Sequence, residues 1–279
     1  MPTLSTDPLA DIARLFQARC GMDVSRYKPR CLMRRLGVRM RAVGAADLAA
    51  YASYLESRPE ELDMLFEALA INFSSFNRDP AFFRLLGERV LPDLARRIPA
   101  GPLRLWSAGC SAGEELYSLG ILADQVLPPP ERRRVLLLGT DIDERALAEA
   151  RAATYPRSRL ALLDKSLIGQ YFDPVVAGGD THRVIESVRR RAEFRRADLI
   201  GPSPFRQVSL ICCRNVLIYL EPRHQEKVLD ELAAALVPGG ILALGRVERL
   251  VGERRTCFET VDTAERVYRR RAAGDAEAP

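Results

Sequence analysis

Residues 103–120 read LRLWSAGCSAGEELYSLG. An apolar strand, Leu103–Ser107, runs into a turn that holds Gly109 and Gly113, and a helix follows. Glycines in such a turn let the backbone approach a ligand closely, although a tight strand-to-helix turn alone would use them too. The helix opens on two acids, Glu114 and Glu115. Carboxylates there would repel a pyrophosphate, which is held by the positive end of a helix dipole. They suit a ligand that carries positive charge and no phosphate.

Downstream, short apolar runs alternate with helical stretches, the pattern of βαβ units on a parallel sheet. The spacing predicts strands at Leu103–Ser107, Val135–Thr140, Glu193–Arg196, Val208–Cys212 and Ile241–Leu244, with a closing antiparallel pair at Cys257–Val261 and Arg266–Arg270. Residues 151–191 are too many for a plain connection and are expected to form an insertion with helix-like and turn-like pieces. In VLLLGTDID, Asp141 stands at the end of the second strand, where a doubly wound sheet carries the acid that grips ribose hydroxyls. Asp143 reads as the N-cap of the next helix. In RADLIG, Asp198 is placed either to accept from an adenine amino group or to serve as a loop aspartate. In ICCRNVLIYL, Arg214 and Asn215 are polar groups at the carboxyl end of a buried strand, where an unpartnered pair would be costly and where ligands bind. Tyr219 follows Asn215 by one helical turn.

Upstream lies an all-helical unit. Helices are expected from Pro8 to Cys20 with Gly21 as the stop, from Pro29 to just before Gly44, over Leu48–Ser57 behind an Asp47 cap, and from Pro59 onward. On the second of these, Leu32, Leu36, Met40 and Val43 share one face, and Arg30, Arg34 and Arg41 fall opposite. The chain carries a formal net charge of +5, which favours an acidic partner. Its composition, 47% hydrophobic and 28% charged over 279 residues, is that of a globular protein. No apolar run reaches the roughly 18 residues that span a membrane, and the start MPTLSTDPLADIARL lacks the layout of a secretory signal. A cytoplasmic protein is therefore expected. The six cysteines form no CxxC pair and the two histidines, His182 and His224, lie far apart, so no metal site is expected.

An NAD or flavin enzyme would share the glycine turn and Asp141, but the acids after the turn argue against a bound pyrophosphate. The sulfonium and amino group of S-adenosyl-L-methionine fit them instead. RYKPRCLMRRLGVRMRAVG, INFSSFNRDPAFF, WSAGCSAGEELYS, GTDIDERAL, ICCRNVLIYL and LVPGGILALG together make residues 10–270 resemble the CheR family of chemotaxis receptor glutamate methyltransferases. The resemblance implies a helical N-terminal domain, a Rossmann-like class I methyltransferase sheet with an inserted subdomain, and methyl transfer from S-adenosyl-L-methionine to glutamates on the cytoplasmic helices of a chemoreceptor, leaving S-adenosyl-L-homocysteine. Domains are expected over 1–70 (docking), 71–100 (linker and cofactor cover) and 101–279 (catalytic).

By that resemblance Asn72, Ser74, Arg78, Gly109, Glu115, Asp141, Asp198, Leu199, Arg214 and Asn215 border the cofactor. Arg78 and Tyr219 border the methyl group, and Arg30, Arg34 and Arg41 dock the substrate. A monomer without metal or nucleic acid is implied; RNA-binding signals and an aromatic stacking platform are missing from the sequence. The chain departs from the family at Ser74 for threonine, Asn77 for phenylalanine, Leu116 for proline, Asp198 for asparagine, and GRVE at 245–248 for G-H-S-E. Asn77 is expected to loosen packing beside Arg78. These departures leave room for a binding module that keeps the cofactor site without turnover.

Overall fold

A computed structural model describes residues 7–20, 22–69 and 74–272, the side chains of 253 and 254 excepted. The chain divides into two units, Met1–Asn72 with Tyr219–His224, and Phe73–Ile218 with Gln225–Pro279.

Four helices build the first unit: α1 (Pro8–Cys20), α2 (Pro29–Val43), α3 (Leu48–Ser57) and α4 (Pro59–Leu69). Their ends follow local chemistry. The Asp7 carboxylate accepts from Leu9 N at 3.0 Å, and Asp47 accepts from Ala50 N at 2.8 Å. Gly44 ends α2 at φ +73, where a side chain would strain the backbone. The stop expected at Gly21 lies outside the described residues. Ile12, Phe16, Leu32, Leu36, Tyr51, Leu55, Leu62 and Leu65 form the core. A buried polar triad crosses it. Arg39 donates to Glu61 at 2.8 and 2.7 Å, and the Tyr51 hydroxyl donates to Glu61 at 2.9 Å.

In the second unit, α5 (Pro80–Leu85) and α6 (Leu91–Arg97), joined by a π-helical turn, precede β1 (Leu103–Ala108). There follow α7 (Glu114–Val126), the short α8 (Pro129–Arg132), β2 (Val135–Asp141) and α9 (Glu144–Ala152). The insertion holds β3 (Thr154–Pro156), α10 (Lys165–Tyr171), β4 (Phe172–Pro174), β5 (Thr181–Val184) and α11 (Glu186–Arg189). The core then resumes with β6 (Ala192–Arg196), β7 (Val208–Cys213), α12 (Pro222–Ala235), β8 (Leu236–Leu244), β9 (Phe258–Asp262) and β10 (Val267–Arg270).

One seven-stranded sheet runs β6-β2-β1-β7-β8-β10-β9. The first five strands are parallel and β10 is antiparallel to both neighbours. All six residues of β7 are buried, as expected for a strand covered on both faces. The order reverses between β1 and β7, the switch point at which such sheets bind ligands. This is the Rossmann-like α/β sheet that the sequence implies, preceded by the all-α unit.

Two features differ from the sequence reading. The strand expected at Ile241–Leu244 begins at Leu236, because Leu236 pairs with Val208 before an irregularity that carries Pro238–Gly240. The insertion also contains a three-stranded antiparallel sheet, β3-β5-β4, whose strands are three or four residues long.

Candidate functional site

The parallel register aligns the strand ends. Ala108 pairs with Thr140, Ser107 with Cys212, Asp141 with Arg196, and Cys213 with Leu244. Gly109, Asp141, Asp198, Arg214, Asn215 and Gly245 therefore stand along one carboxyl-terminal edge. At the glycine turn, the amides of Gly109 and Cys110 donate to Thr140 O at 2.8 and 2.9 Å. Gly109 has φ +81, and a Cβ there would lie 2.5 Å from Val216 Cγ2. Gly113 has φ +90, with Ala150 Cβ 3.0 Å from the position of a Cβ. Only glycine satisfies both conditions at once.

Asp141 is held by its own surroundings. Ser111 N donates to Oδ2 at 2.7 Å and Asp143 N to Oδ1 at 3.0 Å. Burial pushes its carboxyl above the usual range, and these amides pull the other way. Each oxygen keeps acceptor capacity for a ribose hydroxyl. Asp143 caps α9 through Arg145 N at 2.9 Å. At the end of β6, Asp198 forms a turn by accepting from Ile200 N at 3.0 Å, beside half-buried Leu199.

The two acids of α7 separate. Glu115 accepts from the Ser107 hydroxyl at 2.7 Å and from Arg214 Nη1 at 3.3 Å. Glu114 is fully buried (0%) and bonded to Arg159 Nη1 at 2.7 Å and to the Ser74 hydroxyl. The sequence expectation that both carboxylates face a cationic ligand is thus corrected. Glu114 is committed to the insertion because an isolated buried carboxylate needs a counter-charge.

Arg214 is 3% exposed in its side chain. Its Nη2 donates to Asp79 Oδ2 at 2.5 Å, and its guanidinium lies 4.0 Å from the Phe82 ring centroid. Burial works against the charge, and neighbouring groups, Glu115 first, outweigh it and raise the pKa. Sequence reasoning missed Asp79. It precedes Pro80 at the start of α5, makes no side-chain capping bond and takes φ +61. No local signal marks it, because its partner Arg214 lies 135 residues away.

The segment before α5 is also anchored. Phe76 is fully buried, edge-on to Tyr155 at 4.9 Å and to Phe172 at 5.1 Å. Asn77 takes φ +52, which asparagine tolerates, and its backbone N–H donates to Ser118 Oγ at 3.0 Å. It is a turn residue beside half-buried Arg78. Asn72 lies outside the described residues.

Tyr219 ends a short 3-10 turn and groups with the first unit, its carbonyl accepting from Lys28 N at 2.9 Å. Arg30, Arg34 and Arg41 are exposed on α2 in that unit, on the same helix as exposed Met33 and Val38. Among the described residues no cluster of His, Cys, Asp and Glu is arranged for a metal, and no helix is long and apolar enough to cross a membrane.

The edge fits S-adenosyl-L-methionine by the chemistry of its donors. Asp141 offers acceptors for a ribose, Glu115 offers a carboxylate for a cationic end, and the two glycines let the backbone approach. Relatives agree. The chain is 31% identical over 247 residues to a probable chemotaxis protein methyltransferase of Rhizobium etli, covering 86% of this chain and 92% of that one. It is 34% identical over 249 residues to a chemotaxis protein methyltransferase of Salmonella typhimurium, covering 85% and 82%. It is 33% identical over 227 residues to an uncharacterised 104.1 kDa protein of Rhodobacter capsulatus, covering 81% of this chain but 24% of that longer one. Residues 7–70 match the CheR methyltransferase all-alpha domain and residues 72–267 the CheR methyltransferase SAM binding domain, so the chain belongs to the CheR methyltransferase family and S-adenosyl-L-methionine is its cofactor.

Proposed function

We propose that the protein transfers the methyl group of S-adenosyl-L-methionine to glutamate side chains on the cytoplasmic helical domain of a chemoreceptor-like signalling protein. The products are a glutamate methyl ester and S-adenosyl-L-homocysteine. The observation that carries this reading is the set Gly109, Glu115, Asp141 and Arg214 at one sheet edge, in a chain of this family. Relatives named chemotaxis protein methyltransferase support the choice of substrate.

When bound, the cofactor supplies an electrophilic methyl on a sulfonium. An acceptor glutamate has an ordinary pKa of about 4.3 and is ionised at neutral pH, so no general base is needed. The protein's task is to align the carboxylate and exclude water, which contributes up to about 7–11 kcal/mol. In this reading Arg78 holds the acceptor carboxylate and Tyr219 orients it by hydrogen bonding. Asn72, Ser74, Asp198, Leu199 and Asn215 complete the cofactor's surroundings. Residues 1–70 form a docking domain, 71–100 cover the cofactor and 101–279 carry the chemistry, in a cytoplasmic monomer. Arg30, Arg34 and Arg41, exposed on α2, bind an acidic helical bundle.

The test is transfer of labelled methyl to the cytoplasmic fragment of a receptor. Base-labile label released as methanol supports a glutamate ester, and label retained in RNA or absent from protein overturns it. Binding of S-adenosyl-L-homocysteine without transfer to any protein would favour a binding module. Charge reversal at Arg30 and Arg34 is expected to weaken substrate binding and flatten its salt dependence; an unchanged salt dependence would remove the docking role.

A further inference from the structure

We infer that Glu248 is a positioning residue, whose carboxylate holds the loop of Arg214 and Asn215 in the form that receives the cofactor. The inference rests on the reading of the sheet edge as the S-adenosyl site. Glu248 is 4% exposed. Its Oε2 accepts from Asn215 N at 2.9 Å and from Gly245 N at 2.6 Å. Its Oε1 accepts from Val216 N at 2.9 Å and from Ile218 N at 3.3 Å. One carboxylate thus serves four backbone donors, three after β7 and one after β8. Donors leaving a sheet have lost their ladder partners, and burial without a substitute is costly.

The neighbourhood is shaped around this carboxylate. A Cβ at Gly245 would lie 2.7 Å from Glu248 Oε2 and 3.0 Å from Asn215 N. Asn215 turns with φ +61, and the next residue, Val216, fills the space beside Gly109. Glu248 therefore links the ends of β8 and β7 to the glycine turn after β1. The same geometry explains which parts of G-R-V-E vary. The Arg246 side chain leans outward to Glu265 at 2.6 Å and Val247 is 73% exposed, whereas Gly245 and Glu248 have no freedom.

The substitution E248Q keeps the size but points an NH2 at two of the four donors. Titration with S-adenosyl-L-homocysteine is expected to show at least a tenfold rise in Kd for E248Q, a smaller rise for E248D, which keeps the charge, and none for V247A. Amide exchange is expected to speed up at residues 215, 216, 218 and 245 while the amides of β1 and β2 keep their protection. E248Q binding within twofold of wild type, or loss of protection across the whole sheet alike, would overturn the inference. If E248Q fails to fold, E248D decides on the same two readouts. Wild type that binds no S-adenosyl-L-homocysteine would instead remove the reading of the site, and the exchange pattern would still decide the role of Glu248.

Discussion

Replacing Arg159 with alanine removes the counter-charge of a fully buried carboxylate. Glu114 is 0% exposed in its side chain, and its Oε2 has no partner among the described residues. Removing one member of a desolvated pair costs about 3–5 kcal/mol. Arg159 is itself 34% exposed, so solvent screening lowers this to about 2 kcal/mol. For a unit of roughly 150–250 residues, each kcal/mol shifts Tm by about 2–4 °C, giving roughly 4–8 °C. The loss depends on pH in a defined direction. Burial pushes the Glu114 carboxyl above the usual range, while its own amide, Arg159 and Ser74 hold it back. The folded state thus binds this proton more tightly than the unfolded one. Its contribution is fully present below the unfolded carboxylate pKa and is lost as pH rises through the folded value. Without Arg159 that loss deepens, so the deficit of R159A is small near about pH 4.5 and largest near about pH 8. Trp106, the one tryptophan of the chain, is buried in β1 and reports unfolding by fluorescence. A deficit equal at both ends of the pH range, or coincident melting curves, would refute the reasoning.

Three further outcomes follow from the geometry. Gly109→Ala places a side chain at φ +81 and 2.5 Å from Val216 Cγ2; strain of about 1–3 kcal/mol is expected with a tenfold or greater loss of S-adenosyl-L-homocysteine affinity, and V216A in the same chain should recover part of it in a calorimetric titration. Tyr51→Phe removes one bond to buried Glu61 and should cost about 1–3 kcal/mol of stability by calorimetry, with cofactor affinity unchanged. Cys110, Cys212 and Cys213 are buried and burial pushes their thiols well up, so in the folded protein a thiol reagent should modify them far more slowly than Cys20, Cys31 and Cys257; equal rates for all six would contradict the packing.

The helices and the main strands were legible because their signals are local and long. Asp7 and Asp47 cap helices that begin on the next residue, and Gly44 ends one at positive φ. The strand β7 is six consecutive buried residues, five of them apolar. The small sheet β3-β5-β4 was not legible, since runs as short as TYP and FDP show no alternation. Its outer strands pair with β5, and Phe76, far away in sequence, packs against Tyr155 of β3 and Phe172 of β4. The strand-end residues of the candidate site could be read from spacing, because a parallel register puts every strand end on one edge. Their partners could not. Asp79 lies 135 residues from Arg214, Arg159 lies 45 from Glu114, and Glu248 lies 33 from Asn215. Each is a counter-charge or acceptor supplied by tertiary structure, and a motif shows the buried group without showing what satisfies it.

The central claim is that the carboxyl-terminal sheet edge binds the S-adenosyl group through Asp141. Calorimetric titration of wild type and Asp141→Ala with S-adenosyl-L-homocysteine tests it most directly. Micromolar binding by wild type, lost in Asp141→Ala while the Trp106 melting curve stays cooperative, is the predicted result. Equal binding by both proteins, or none by wild type, would contradict it.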